Sequence, residues 1–183
     1  MVCQSNWWND FRLGQFFYYS KSFFNNKLYV AGGSINDAWN YQFNGTGFFT
    51  FDGNEWKDHN RANLSFMDTV LDIISIAVDP RNDIIYAGSF GGGLIEFTSA
   101  TQFKIYKQNS PLNVAIGDPN NYRVGGMAFD KENNLWISNF GGSNNFLVKK
   151  IGIRLSKSAV QHVKSNLRGH YEYKNWHQYL LTR

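Results

Sequence analysis

The stretch "DIIYAGSFGGGLIEF", residues 83–97, has the one composition in this chain that suits a phosphate cradle. A phosphate loop needs a helix after its glycines, so that backbone N–H groups and the helix N-terminus face the anion. Here Leu94–Phe97 follows, short, apolar and β-prone, and "FKIYK" comes next. The glycines are therefore expected to connect strands. His59, His162, His170 and His177 lack the compact spacing of metal ligands. Cys3 is the only cysteine, which excludes an internal disulfide and a thiolate zinc site. No Gly-x-Ser-x-Gly elbow occurs. Asp79 and Asp130 recur at matching places, and a carboxylate that closes a strand before a turn is suited to accepting local backbone N–H bonds. "NGT" (44–46) and "NLS" (63–65) fit the glycosylation acceptor, a pattern short enough to arise by chance in an Asn-rich chain. The expectation is a protein with no catalytic residue, no cofactor and no metal.

The elements that carry these residues repeat. "LYVAG" (28–32), "IIYAG" (84–88) and "LWISN" (135–139) start 56 and 51 residues apart, near the period of propeller blades. "ISIAVD" precedes the second copy and "GGMAFD" the third, through the turns "PRND" and "KENN". Downstream come Gly91-Gly92 or Gly141-Gly142, then "LIEF" or "FLVK". The first copy matches from its second strand onward, with "FFTF" and "EWKDH" joined by "DGN", a good hairpin turn. Each unit reads as four antiparallel strands, A to D, with the Gly cluster as the B-to-C connection. Gly is required there because the chain turns and adjacent blades pack closely.

The fold class is accordingly all-β, a β-propeller fragment of about three four-stranded blades with an atypical basic C-terminal tail. Its expected divisions are an N-terminal extension (1–13), the partial propeller (14–150) and the tail (151–183). Residues 1–148 carry 10 Lys and Arg against 13 Asp and Glu, whereas 149–183 carry 8 against 1. The net charge of +4 thus belongs to the tail, and nucleic acid is not an expected partner. Residues 155–167 fit an amphipathic helix, "YKNWHQY" offers a late D strand, and the abrupt change of composition also suits a tail foreign to the fold. No signal peptide is visible in the chain. An open arc exposes faces that neighbouring blades should cover, so the chain alone is expected to aggregate or to assemble with other copies.

The residues 130–142, "DKENNLWISNFGG", resemble the blade signature of two-component-regulator propellers. "NKLYVAGGSINDAWN" followed by "GTGFFTFDGNEW" is similar, more narrowly, to the N-terminal propeller of PorZ-like proteins of the Bacteroidetes type IX secretion system. The resemblance covers about residues 14–150. It implies an extracytoplasmic protein, in the periplasm or at the cell surface, that binds or scaffolds without catalysis. Its implied partners are protein components of a secretion apparatus or a surface glycan, together with the missing blades of a longer parent chain. The generic signature fits the extracytoplasmic sensor propeller of a hybrid two-component histidine kinase equally well. A propeller lyase or hydrolase would need titratable groups at the ring centre, where the A strands offer mainly apolar and small residues.

In a four-strand meander the A-to-B and C-to-D turns leave one end, and the B-to-C and D-to-A connections leave the other. The first set is tight. The second includes the long loops 33–45, 60–70 and 108–123, and one end therefore carries nearly all the optional sequence. That end is the expected ligand face, through Trp39, Tyr41, Arg61, Tyr122 and Arg123, whose rings and forked donors suit a glycan or a peptide. The alternative is that Trp39 and Tyr41 fold back as a plug over the propeller's own core.

Overall fold

The structure is a computed structural model that describes residues 20–150 and the short strand at 156–157. Its strands form three antiparallel meanders in sequence order. Unit 1 comprises β1 (Lys21–Phe24), β2 (Lys27–Ala31), β3 (Phe48–Phe51) and β4 (Trp56–His59). Unit 2 comprises β5 (Ile73–Val78), β6 (Ile85–Gly91), β7 (Gly93–Ser99) and β8 (Gln102–Tyr106). Unit 3 comprises β9 (Tyr122–Phe129), β10 (Leu135–Asn139), β11 (Phe146–Lys149) and β12 (Ser156–Lys157). A single 3-10 turn, Ser65–Thr69, interrupts the connection from unit 1 to unit 2. The chain is thus an all-β propeller fragment of three four-stranded units.

The first strand of unit 1, which repeat matching leaves unplaced, is short and exposed at alternate positions. Its hairpin is closed by Asn25 and Asn26, at φ 48° and 57°, between the pair Phe24 and Lys27. Two consecutive positive φ values define a type I′ turn, where Asn is among the least costly residues. β12 falls at the start of the basic tail, and its backbone at Ser156 and Lys157 is strand rather than helix. The rest of the 155–167 helix reading, the "YKNWHQY" strand and the extension 1–13 lie outside the described residues.

The internal alignment needs one correction. Ile85 pairs with Val78, just before Asp79, as Leu135 pairs with Phe129, just before Asp130. Ile85, not Ile84, therefore corresponds to Leu135, and the turn in unit 2 is one residue longer than "KENN". The two turns absorb the difference and still place Asp83 and Asn133 at φ near 60° (60° and 59°). With this register Ser89 corresponds to Asn139 and Phe90 to Phe140.

Packing occurs between units. Tyr29, Ala31 and Phe48 of unit 1 bury against Ile73, Ile76, Val78, Ile95 and Phe97 of unit 2. Ala77, Tyr86, Leu94 and Tyr106 of unit 2 bury against Val124, Met127, Leu135, Ile137 and Leu147 of unit 3. All six residues of β5 are buried, because both faces of the middle unit are covered. This explains why "IISIAV" reads as an apolar run broken only by Ser75 instead of an alternating strand. The units are also joined by main-chain contacts at one end: Gly33 N–H donates to Ile73 O at 2.7 Å, and Phe90 and Gly91 pair with Arg123 and Tyr122.

The Gly cluster is the hairpin between β6 and β7, followed by a strand and not by a helix. Gly93 has φ 84°, and a Cβ there would lie 2.2 Å from the Tyr106 carbonyl oxygen. Conformation and space both demand glycine, and neither relates to an anion.

Candidate functional site

The tight turns leave one end of the units and behave as caps. Asp79 accepts the Arg81 backbone N–H at 3.0 Å and its guanidinium at 2.8 and 2.5 Å. Asp130 accepts the Asn134 backbone N–H at 2.8 Å and the Trp136 indole N–H at 2.7 Å. These are the local acceptor roles expected of the recurring aspartates. Asn44 and Asn63, the two sequon asparagines, have their amides engaged with Gly32 O and Asp58 O, at 3.3 and 2.7 Å. His59 stacks on Phe48 and meets Thr50 Oγ1 at 3.0 Å, and burial lowers its pKa. Among the described residues no three His, Cys, Asp or Glu side chains gather as a metal site requires, and no helix is long and apolar enough to cross a membrane.

The opposite end is built around the loop between β2 and β3. Its turn is set by Asn36 Oδ1, which accepts the N–H groups of Ala38 and Asn40 at 3.0 and 2.8 Å. The loop is then held down by Asp72. This carboxylate, in a residue only 1% exposed, accepts the backbone N–H groups of Gln42, Phe43 and Asn44 at 3.1, 2.9 and 2.8 Å. Burial nevertheless lifts its pKa above the usual carboxylate value, with these N–H bonds pulling the other way. Asp72 itself adopts φ 52°, and Trp39 and Phe43 adopt 57° and 55°.

So fixed, the loop of unit 1 crosses unit 2 and reaches unit 3. The Trp39 ring stacks on Phe140 with centroids 4.8 Å apart and lies 6.0 Å from Phe90. The Tyr41 ring lies 5.7 Å from Phe90, over a small core with Ile35 and Ile74. The Tyr41 hydroxyl donates to Asp118 Oδ2 and accepts from Arg123 Nε at 2.7 Å. Arg123 also donates to Asp118 at 2.8 Å, with its guanidinium 4.8 Å from the Tyr41 centroid and 5.2 Å from that of Phe90. Asn121 completes the set by donating to Asp118 Oδ1 at 2.6 Å. Burial and the bond to Asp118 push the Tyr41 hydroxyl up to about 12, so it stays a proton donor. The Tyr41 bond, with help from Asn121 and Arg123, holds the Asp118 carboxyl below its usual value.

Asp118 supplies a pH-dependent part of this latch. Because its folded-state pKa is depressed, its contribution is present above the unfolded value, about 4, and is lost as pH falls through the lower folded one. Asp72, whose pKa is raised, does not weaken in that direction. The stability difference between the native chain and Asp118→Asn should therefore shrink as pH is lowered below about 4. Thermal unfolding of both across pH 2–7 would show it; a constant difference would rule out ionised Asp118 as the clasp.

Three of the five residues expected at this face, Trp39, Tyr41 and Arg123, come together. Trp39 and Tyr41 pack over the Ile35, Ile74 and Phe90 core, as the plug alternative describes. Tyr122 instead packs against the core between units 2 and 3. Arg61 is exposed and lies beside Gly45, where a Cβ would be 3.0 Å from its Nε. Asp118, Asp72, Phe90 and Phe140 were not singled out from sequence. The only signal for Asp118 was its place in a long connection, directly after the turn glycine Gly117.

Three antiparallel four-stranded units, packed face to face and joined at the ends of their B strands, define an arc of β-propeller. Among solved structures it is similar to PorZ, described as an essential bacterial surface component of the type IX secretion system of Porphyromonas gingivalis. The match has 25% sequence identity and TM-score 0.60, covering 75% of this chain and 19% of PorZ. The extracellular domain of a hybrid two-component system from B. thetaiotaomicron also matches, at 16% identity and TM-score 0.44, over 78% of this chain and 15% of that one. The chain thus spans less than a fifth of the length of PorZ. No family model matches the sequence, and no curated protein does.

Proposed function

We propose that this chain is a non-enzymatic binding or scaffold propeller module, working outside the cytoplasm at the bacterial surface in a type IX secretion apparatus. The observation that carries the reading is the likeness to PorZ, at 25% identity over 75% of the chain. The remaining blades belong, on this reading, to a longer polypeptide, since the match spans 19% of PorZ. The partner meets the loop end, centred on Trp39, Tyr41 and Arg123, with the exposed Arg61 on the same loop set. Supporting it are the long connections at that end and the rigid seating of Tyr41 and Arg123 on Asp118.

Disrupting the gene in its host should abolish export of type IX cargo into the medium. The native gene and Lys131→Glu, a charge change on the tight-turn end, should restore export. Arg123→Ala should not, although the protein accumulates to normal levels and is digested by protease on intact cells. Undiminished export after disruption would overturn the assignment, and so would protease resistance on intact cells with digestion only after lysis.

A further inference from the structure

The register of unit 1 lines up one apolar side chain from each of its strands across a single face. Phe23 pairs with Leu28, Leu28 with Phe51 and Phe51 with Trp56, and paired residues of a sheet project to the same side. Tyr29, Ala31 and Phe48 project to the other side, where unit 2 covers them. In unit 2 the same row is Val78, Ile85, Phe97 and Phe103, and packing against unit 1 leaves its first three members 6%, 8% and 5% exposed. In unit 3 the row begins with Phe129 and Leu135, which pack against unit 2. Each row is thus the side on which a unit receives the one before it. In unit 1 the row is left with Phe23 71% exposed and with Leu28 and Phe51 half-buried.

What meets such a row is visible between units 1 and 2. The last strand of unit 1 sends His59 to the Phe97 ring, edge to face with centroids 5.4 Å apart, and Phe66 of the following connection stacks on Phe103 at 3.7 Å. Upstream of unit 1 the sequence carries a second version of that strand. "NWWNDF" (6–11) matches "NEWKDH" (54–59) at Asn6, Trp8 and Asp10, and sets Phe11 in the position of His59. Residues 1–19 lie outside the described residues. The first described residue, Ser20, accepts the Ala31 N–H on its carbonyl at 2.9 Å and the Ile76 N–H on its Oγ at 3.2 Å, which ties the start of β1 to the first strand of unit 2. Eight residues separate Phe11 from Ser20. Extended, they reach about 27 Å. Returning from the fourth strand of one unit to the first strand of the next takes about 17 Å, the combination of three strand spacings and one sheet separation.

We propose that residues 6–11 form the fourth strand of a further blade seated on this face of unit 1, with the Phe11 ring against Phe51 as His59 lies against Phe97. The other three strands of that blade belong to the longer polypeptide, so the inference rests on the reading of this chain as part of a larger propeller. It makes residues 6–11 a working part of the propeller instead of an extension before it, and it gives the apolar row of unit 1 an occupant from its own chain.

The test places benzoylphenylalanine, a photo-crosslinking residue, at 51 and, as a calibrating position, at 103 in the full-length protein, with isotope-labelled and unlabelled copies mixed. Peptide mapping by mass spectrometry should join position 51 to residues 8–13 of the same copy, as position 103 joins Phe66 and its neighbours. A double-mutant cycle gives a second readout. Phe11→Ala should raise the unfolding equilibrium constant by roughly two- to tenfold more when Phe51 is present than in the Phe51→Ala background. An adduct that joins position 51 only to other residues of the polypeptide, to a second copy or to another protein would overturn the proposal. So would no adduct at 51 while position 103 yields its own. Should neither position yield one, the cycle decides alone, and an effect of Phe11→Ala that is the same in both backgrounds ends the proposal. Undiminished export after gene disruption alongside the adduct would remove the secretion reading and leave this inference standing; lost export without the adduct would do the reverse.

Discussion

Gly33→Ala is expected to destabilise the chain by about 3 kcal/mol or more, the upper part of the range for overpacked interiors. The added methyl would lie 2.3 Å from Ile73 N and 2.5 Å from both Asp72 C and Ile73 O. All three are backbone atoms of the next unit, so no side-chain rotation relieves the overlap. The same residue donates the 2.7 Å bond to Ile73 O that ties unit 1 to unit 2, and moving apart to admit the methyl would lengthen it. Gly126→Ala is the matched control, because nothing lies within 4 Å of its Cβ position and its φ is not positive. That change should be neutral, or stabilising by about 0.5 kcal/mol through the unfolded chain. Denaturant unfolding of the two variants decides the matter. Equal losses at both positions would refute the close approach at Gly33.

Asp72→Ala should cost a similar amount, about 3 kcal/mol, through a different route. Three backbone N–H groups lose their acceptor, each worth about 1 kcal/mol, and alanine tolerates the φ of 52° poorly. Asp72→Asn separates these contributions, since Asn tolerates that backbone and keeps one carbonyl acceptor; it should lose roughly half as much. The local signature is amide exchange. Protection of Gln42, Phe43 and Asn44 should fall sharply in the alanine variant, while strands β5 to β8 lose only what the global change predicts. Unaltered protection at those three amides would show that the carboxylate does not hold the loop.

The strands were legible where they repeat. "ISIAVD" and "GGMAFD", with their following B strands, announce themselves because the same packing problem recurs in successive units. The register slipped by one at Ile84 because sequence matching treats the two turns as equal, whereas turn length is settled by whichever residues can take φ near 60°, here Asp83 and Asn133. β1 escaped because Lys21–Phe24 has only partly buried alternate positions. At the site, Trp39, Tyr41 and Arg123 were visible as aromatic and basic residues on long loops. Their partners were not, because Tyr41 and Asp118 are 77 residues apart and nothing local marks Asp118 as the clasp. Arg61 and Tyr122 looked equivalent to these three, being basic or aromatic residues on long loops. The direction a side chain takes separates them, and strand alternation sends Tyr122 toward the core while Arg123 faces Tyr41.

The loop that runs from unit 1 over Phe90 to Phe140 bears on how such a ring can change its number of blades. Repeat arrays grow and shrink by duplication or loss of whole repeats, which is harmless where each one touches only its immediate neighbours. Trp39 and Arg123 break that rule, since both take part in contacts that skip a unit. Deleting or inserting a blade between units 1 and 3 would separate Trp39 from Phe140 and Tyr41 from Arg123 at one stroke. A change in blade number within these three units would therefore cost the loop-end cluster as well as the packing of the unit itself.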